Sequence, residues 1–129
     1  MLDTNACVAV LRGNKKVSSR LAAFSPDDIS VSVVTVYELE TGVAKCANPV
    51  RESSKVSAFL EAVHVLPYDR DSALAAAKIR AELEAAGLMI GPYDLLLAGQ
   101  AIALGLVLVT RNQKEFQRVA GLQLENWED

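Results

Sequence analysis

The sequence predicts an α/β fold in which a small parallel sheet is covered by helices on both faces. Three short runs, at residues 29–32, 64–66 and 106–109, have the β-branched, aliphatic or small residues of buried strands. Segments with helical spacing separate these runs, and strands that alternate with helices are typical of parallel sheets. At 129 residues without internal repeats or linkers, we expect residues 1–129 to form one domain.

The first half of the chain is predicted to alternate strands with helices. In order, these are a very short strand at 1–2, helices at 6–11 and 17–24, a strand at 29–32, helices at 35–45 and 50–62, and a strand at 64–66. Thr35 is expected to cap its helix, because Glu38 stands three residues later, as in a capping box. Asn48-Pro49 stops that helix and precedes the next one.

The second half has clear helix boundaries. Asp69 and Asp71 can cap a long helix that ends at Gly87, since glycine is favoured just after a helix. Pro92 suits the first turn of the next helix, which Gly105 closes. The remaining predicted elements are a strand at 106–109, a short helix at 115–119 and a last strand at 122–124.

Composition describes a globular chain with a moderate apolar excess. Hydrophobic residues make up 51% and charged residues 22% of the chain, and the mean hydropathy is +0.21. This excess suits a subunit interface. We find no signal-peptide pattern and no apolar run of the ~18 residues that a membrane span needs, so we expect a cytoplasmic protein without membrane contact. Cys7 and Cys46 lack metal-site or redox spacing and are expected to be buried or half-buried thiols.

The net charge of −3 argues against attraction of nucleic acid over the whole surface. Two local basic stretches can still bind nucleic acid, although solvation of helices explains such charges as well. The stretches consist of Arg12, Lys15, Lys16 and Arg20 near the start, and Arg111, Lys114 and Arg118 near the end.

Four carboxylates stand beside predicted strand ends or helix starts, and they are Asp3, Glu38, Asp94 and Glu115. Ligands of parallel sheets bind outside the carboxyl ends of the strands, so we expect these side chains to converge. Like charges held together destabilise a fold unless a cation neutralises them. Oxygen donors without histidine or a cysteine pair favour Mg²⁺ or Mn²⁺, and such an ion suits phosphate chemistry.

Each acid also has a purely structural explanation. Asp3 suits the N-cap of the first helix, and Asp94 can stabilise a helix N-terminus through the dipole. Glu38 and Glu40 lie on different helix faces, so at most one of them enters a pocket. Glu115 fits ordinary first-turn chemistry.

Three polar neighbours of these acids are open to the same two interpretations. Asn5, Thr110 and Asn112 can act as caps or turn formers, or they can contact a substrate. The lone His64 lies in a strand pattern, where a structural role is more common than general-base catalysis.

Several short motifs, taken in order and spacing over nearly the whole chain, resemble the VapC toxins of the PIN-domain family. The motifs are Met1 to Asn5, Tyr37 to Gly42, Ile79 to Leu83, Gly87 to Asp94, and Leu108 to Trp127. The resemblance implies an α/β/α sandwich with a small parallel sheet. It also implies a Mg²⁺- or Mn²⁺-dependent endoribonuclease that cleaves structured RNA such as transfer RNA, by water attack on a phosphodiester, and so inhibits translation.

The resemblance assigns roles to the acids. Asp3, Glu38 and Asp94 match the three family acids, with Asp3 and Asp94 as metal ligands. Many members have an acid where this chain has Asn112, so the fourth position falls on Glu115 or Asn112. We expect Glu115 to fill it.

The supporting roles follow from the same resemblance. Asn112 would orient ligand or water, while Asn5 and Thr110 would contact a carboxylate or the scissile phosphate. The family usually has more residues before its first acid, so we expect the short Met1-Leu2 opening either to be extended in the natural protein or to give a weakened first strand.

The implied partners are a cognate VapB-type antitoxin, a second copy of the chain in a homodimer, and DNA only through the antitoxin. Two rival classes remain, a different metal-dependent phosphoesterase and a non-catalytic protein-interaction module. A phosphatase is disfavoured because Asn5 stands two residues beyond Asp3, where an Asp-x-Asp pair would need a second acid.

Overall fold

The computed structural model describes residues 1–129 and arranges them as an α/β/α sandwich, which confirms the predicted fold class. The helices are α1 (Thr4–Leu11), α2 (Lys15–Ala22), α3 (Val33–Lys45), α4 (Pro49–Glu61), α5 (Arg70–Ala86), α6 (Pro92–Leu104) and α7 (Gln113–Phe116). The strands are β1 (Ser30–Ser32), β2 (His64–Leu66), β3 (Leu108–Val109) and β4 (Leu124–Glu125), and a 3₁₀ turn covers Pro26–Asp28.

The sheet consists of two parallel ladders that a single residue joins. β1 pairs with β2, and β3 pairs with β4. Leu2 lies between the ladders and forms parallel bridges to Val31 and Val109. The backbone N–H of Asp3 donates to the Val109 carbonyl at 3.0 Å. The expected opening strand is therefore one bridging residue, and Asp3 leaves the sheet beside the end of β3.

Two hydrophobic cores lie on opposite faces of the sheet. Leu2, Val31 and Val109 point into the core under α1 to α4. Met1 and Leu108 point into the other core, under α5 to α7. Successive strand residues alternate between the two faces, so neighbouring apolar side chains serve both cores. This explains why the strands read as continuous apolar runs.

α5 packs against α6 at very short range. A Cβ placed on Gly99 would lie 2.6 Å from the backbone of Ala76, so only glycine allows this approach. The predicted glycine stops are confirmed, because Gly87 and Gly105 end α5 and α6 with positive φ angles of 68° and 66°. This close pair of helices supports the start of α6, where Asp94 lies.

The predicted start of α3 is wrong. Ser32, not Thr35, is the N-cap, and its hydroxyl accepts a hydrogen bond from the Val34 N–H at 3.0 Å. Thr35 lies inside the helix and is fully buried. There is no capping box, so the Glu38 side chain is available for other contacts.

Smaller differences concern the last elements. α7 covers Gln113–Phe116 and not 115–119, and β4 covers Leu124–Glu125 and not 122–124. Both thiols are free, with Cys7 buried and Cys46 half-buried, as predicted. His64 is exposed and lies 3.4 Å from Asp27. No helix has the length and apolar character needed to cross a membrane.

Candidate active site

Asp3 is fully buried at the end of the Leu2 bridge and the start of α1. Its Oδ1 accepts a hydrogen bond from the Ala6 N–H at 2.8 Å, so the predicted capping role is real. Burial raises the pKa of the Asp3 carboxyl, while hydrogen bonding from Thr110 and Ala6 partly opposes this rise. Since capping uses one of two carboxylate oxygens, it does not exclude a second role.

Glu38 is held in place by a hydroxyl from a different helix. The Thr4 Oγ1 donates to Glu38 Oε1 at 2.7 Å and lies 3.1 Å from the Thr35 Oγ1. These contacts join the first turn of α1 to α3. Glu40 is exposed, so only one of the two neighbouring acids faces the pocket, as expected.

Asp94 lies in the first turn of α6 and is half-buried. Its carboxylate has no hydrogen-bond or ion-pair partner in the structure, and Gly91 at the N-cap supplies no side chain. Burial raises the pKa of Asp94 to about 6, with further contributions from the charges of Asp3, Glu115 and Glu38. A carboxylate that served only the helix dipole would have its pKa lowered.

Glu115 is oriented by the residue that competes with it for the fourth position. The Asn112 Nδ2 donates to Glu115 Oε2 at 2.8 Å, and the Asn112 N–H donates to the Thr110 Oγ1 at 2.9 Å. Asn112 therefore forms no side-chain cap for α7. Hydrogen bonds join Thr110, Asn112 and Glu115 in a continuous chain, and Thr110 directly follows Val109, whose carbonyl accepts from the Asp3 N–H at 3.0 Å.

The four predicted acids thus lie within electrostatic reach of one another around Asp94. They do not form a closed cage, since no group of three or more Asp, Glu, His or Cys side chains is close enough to hold a metal ion as the side chains stand. The donor set nevertheless fits a hard divalent ion that two carboxylates and several waters bind. No basic side chain pairs with Asp94 to neutralise it instead.

Asn5 is separate from the acids. It is exposed on α1 and lines a neighbouring cleft with Arg12 and Arg111. Sequence reasoning also missed Thr4 and Thr35 as supports of Glu38. A threonine directly after Asp3 was the available signal, but its partner in α3 is 34 residues away along the chain.

Two exposed tyrosines border the pocket. The Tyr93 hydroxyl donates to that of Tyr37 at 3.2 Å, and the ring centroids lie 5.5 Å apart. Each tyrosine immediately precedes a pocket acid in sequence, Glu38 or Asp94. The rim is therefore partly aromatic.

Acids at the carboxyl edge of a small parallel sheet define this chain as an α/β protein with a candidate cation site. The family model described as PIN domain matches residues 1–122. The tRNA(fMet)-specific endonuclease VapC of Salmonella typhimurium is 36% identical over 98% of this chain and 96% of its own length. The protein of the same name from Shigella flexneri is 39% identical, again over 98% of this chain and 96% of its own length.

A solved structure agrees with these relatives. The crystal structure of VapBC2 from Rickettsia felis, bound to a DNA fragment from their promoter, contains a chain that matches with a TM-score of 0.93 and 36% identity. The match covers 98% of this chain and 97% of that chain. This chain belongs to the VapC proteins of the PIN-domain family.

Proposed function

We propose that this chain is a metal-dependent endoribonuclease toxin of a VapBC-type toxin-antitoxin system, acting in the cytoplasm. The observation that carries the proposal is Asp94, a partnerless carboxylate that faces three further acids and has its pKa raised to about 6. Acids held together at a cost to stability indicate a cation site. Two relatives are named for tRNA(fMet), so we propose this transfer RNA as the substrate and loss of translation as the consequence.

Asp3 and Asp94 would hold Mg²⁺ or Mn²⁺ directly, and Glu38 and Glu115 would act directly or through water. This division suits the open arrangement, because Mg²⁺ commonly uses one or two carboxylates, with waters and substrate phosphate completing its shell. When bound, such an ion lowers the pKa of a coordinated water and stabilises charge at a phosphodiester.

The side chains around the acids would orient them for this reaction. Glu38 is the group that receives the water proton, and the Thr4 hydroxyl fixes its Oε1 at 2.7 Å. Asn112 holds Glu115, and the Ala6 N–H orients the Asp3 carboxylate. Asn5 would contact the substrate from the adjoining cleft. Attack by water does not use the ribose 2′-hydroxyl, so the products would carry a 5′-phosphate and a 3′-hydroxyl.

A groove leading into the pocket would receive the VapB-type antitoxin. It runs between α1, α3 and α4, and Thr4 and Glu38 line it together with Leu39, Val43 and Val56. An amphipathic segment can bury apolar residues in such a groove. A basic residue at its end would pair with the acids, which would inhibit the nuclease.

The assembly would include a homodimer, and it would bind DNA only through the antitoxin. Large apolar side chains remain exposed on the single chain, including Val33, Leu88 and Met89. The net charge of −3 disfavours direct contact with DNA. The related Rickettsia felis structure contains the VapBC2 complex on promoter DNA, which supports an indirect route.

The decisive experiment is cleavage of a tRNA(fMet) transcript by the purified chain, freed of any partner. We expect cleavage with Mg²⁺ or Mn²⁺ and none in chelator. Asp3→Asn, Glu38→Gln and Asp94→Asn should each lose most activity while remaining folded. Glu40→Gln is the matched control, because Glu40 is exposed two residues beyond Glu38, and it should keep full activity.

Two results would contradict the proposal. Cleavage that continues unchanged in chelator would exclude the metal, and a fully active, folded Asp94→Asn variant would exclude the site. A chain that binds no Mn²⁺ and cuts no RNA, but still binds its antitoxin, would instead be a protein-interaction module.

A further inference from the structure

A second concave surface lies along α1 beside the acidic pocket, and it shares Val8 and Arg12 with the antitoxin groove. Eight residues line it, and only two of them are hydrophobic. Asn5, Val8 and Ala9 of α1 and its C-cap residue Arg12 form one wall of the cleft, because they recur at the spacing of a helix face. Arg111 completes the cleft from the opposite wall. The cleft begins at Asn5, two residues from Asp3, and extends towards the C-terminal end of α1.

The cleft is positively charged although the chain as a whole is acidic. Its charged side chains are Arg12, Arg111 and Glu128. Arg12 has no side-chain hydrogen bond or ion pair. Arg111 is 63% exposed and approaches only Glu128, at 4.0 Å, which is too long for a hydrogen bond. Both guanidinium groups therefore retain most of their capacity to bind an anion.

Two lysines extend this charge beyond the cleft. Asn14 lines the cleft and caps α2, and Lys15 and Lys16 follow it as exposed residues without ion pairs. No acid stands in the first turn of α2. Lysines at a helix N-terminus oppose the helix dipole, so helix stability does not explain this placement. We call Arg111, Arg12, Lys15 and Lys16 the basic track.

The basic track is close enough to the acids to act on the same substrate. Arg111 stands two residues beyond Val109, whose carbonyl accepts a hydrogen bond from the Asp3 N–H at 3.0 Å. The charge of Arg111 favours the ionised form of Asp3, whereas that of Glu128 opposes it. A polyanion that approaches four carboxylates is repelled, and adjacent cations offset that repulsion for the phosphates next to the reacting one.

We propose that the basic track binds backbone phosphates of the RNA on one side of the scissile bond. Arg111 and Arg12 bind the one or two phosphates nearest the scissile bond, and Lys15 and Lys16 bind the phosphates that follow. This assignment rests on the proposed ribonuclease function and adds the path of the substrate strand. It concerns the sugar-phosphate backbone, so it contributes affinity and not sequence preference.

The test is the salt dependence of RNA binding. A labelled tRNA(fMet) transcript is titrated with the antitoxin-free chain in chelator, from roughly 50 to 200 mM KCl. Each lost phosphate contact lowers the slope of log affinity against log salt by about 0.7 for single strands. Arg12→Gln/Arg111→Gln should therefore lower the slope by about 1.4, and Arg12→Lys/Arg111→Lys should keep it.

The matched control removes two charges elsewhere. Arg70→Gln/Lys78→Gln alters exposed residues of α5, in the opposite helix layer, and should leave the slope unchanged. Equal slopes for Arg12→Gln/Arg111→Gln and Arg70→Gln/Lys78→Gln would overturn the proposal. So would a track variant that binds RNA normally but loses affinity for the antitoxin, since the track would then be a protein-binding surface.

One further variant is expected to increase the affinity for RNA instead of lowering it. Glu128→Gln removes the carboxylate nearest Arg111, so it should tighten RNA binding about twofold to threefold, whereas an unchanged or weaker affinity would count against the track.

Cleavage with Mn²⁺ is measured on the same samples. If the wild type cuts RNA but Arg12→Gln/Arg111→Gln has an unchanged salt slope, the basic-track proposal is refuted and the nuclease proposal stands. A wild type that binds RNA with the expected slope but never cuts it would refute the nuclease.

Discussion

Among single residues, Asp94 is the most informative, because its pKa depends on the other acids of the candidate site. Its raised pKa arises from burial and from three neighbouring acids, and no donor compensates for them. Asp3 caps α1 through one carboxylate oxygen, and this cap is compatible with the proposed metal ligation because it leaves the second oxygen unused. Structural and functional interpretations of an acid are therefore compatible.

Asp94→Asn should stabilise the metal-free protein above about pH 6. The pKa of Asp94 is raised from 3.8 to about 6 on folding, so wild-type stability falls as pH rises through that interval. The half-exposed position limits the gain to about 1 kcal/mol, or about 4 °C in Tm. Thermal melts in chelator from about pH 4 to 8 should show that the Tm of Asp94→Asn exceeds that of the wild type by an amount that grows from near zero as pH rises.

Two comparisons control this prediction. Asp71→Asn alters an exposed acid in the first turn of α5, so it should lower Tm slightly at neutral pH. Added Mn²⁺ should raise the Tm of the wild type more than that of Asp94→Asn. Equal shifts would show that Asp94 is not a ligand.

Glu115→Gln should reduce RNA cleavage at saturating Mn²⁺ by about 100-fold, and Asn112→Ala by about tenfold. Asn112 holds Glu115 through a hydrogen bond of 2.8 Å, so losing it disorders Glu115 without removing its charge. Single-turnover rates on the same transcript measure both effects. An active Glu115→Gln beside an inactive Asn112→Ala would assign the fourth position to Asn112.

At the scale of elements, the start of α3 decides what Glu38 can do. Because Ser32 caps the helix one turn earlier than expected, Thr35 becomes an interior residue that supports Thr4. Glu38 is then part of a contact between α1 and α3. The pair of α5 and α6 has a comparable role, since it fixes the turn that presents Asp94.

Gly99→Ala should destabilise the protein by about 2 kcal/mol or more, because its Cβ would meet the Ala76 backbone at 2.6 Å and force α5 from α6. Gly42→Ala in α3 is the control. Nothing lies within 4 Å of its Cβ position. Alanine at this position should therefore raise the free energy of unfolding by about 0.5 to 1 kcal/mol through its higher helix propensity. Urea unfolding measures both, and equal effects would refute the close-packing explanation.

At the scale of the whole molecule, the acidic pocket lies between two surfaces of opposite character that share α1. The apolar groove between α1, α3 and α4 suits a protein segment, and the basic cleft suits a polyanion. An antitoxin bound in the groove as proposed would contact Glu38 and Arg12, which lines both surfaces, but not Arg111, which lines only the basic cleft.

The chain alone should not bind promoter DNA, whereas its complex with the protein encoded beside it should. The net charge of −3 disfavours DNA, and the partner would supply the DNA-binding domain. Gel-shift assays of both samples, with light scattering to establish a dimeric chain, test this expectation. A monomer that neither binds nor is inhibited by that protein would refute the assembly but not the nuclease.

Features that depend on neighbours along the chain could be predicted from the amino-acid sequence. Asp69 caps α5, and Gly87 and Gly105 end α5 and α6, as predicted. Helix caps, glycine stops and apolar periodicity are satisfied within a few residues, so a local pattern is enough to identify them. The parallel sheet followed from the alternation of these elements.

Specific contacts between side chains far apart in sequence became visible only in the folded protein. Leu2 joins the two ladders through Val31 and Val109, and Thr4 reaches Glu38 across 34 positions. Arg12 and Arg111 share a cleft although they lie at opposite ends of the chain. These contacts depend on where the folded backbone brings remote segments together. Residue type and position predicted that the four acids converge, but they did not predict which other side chains meet there.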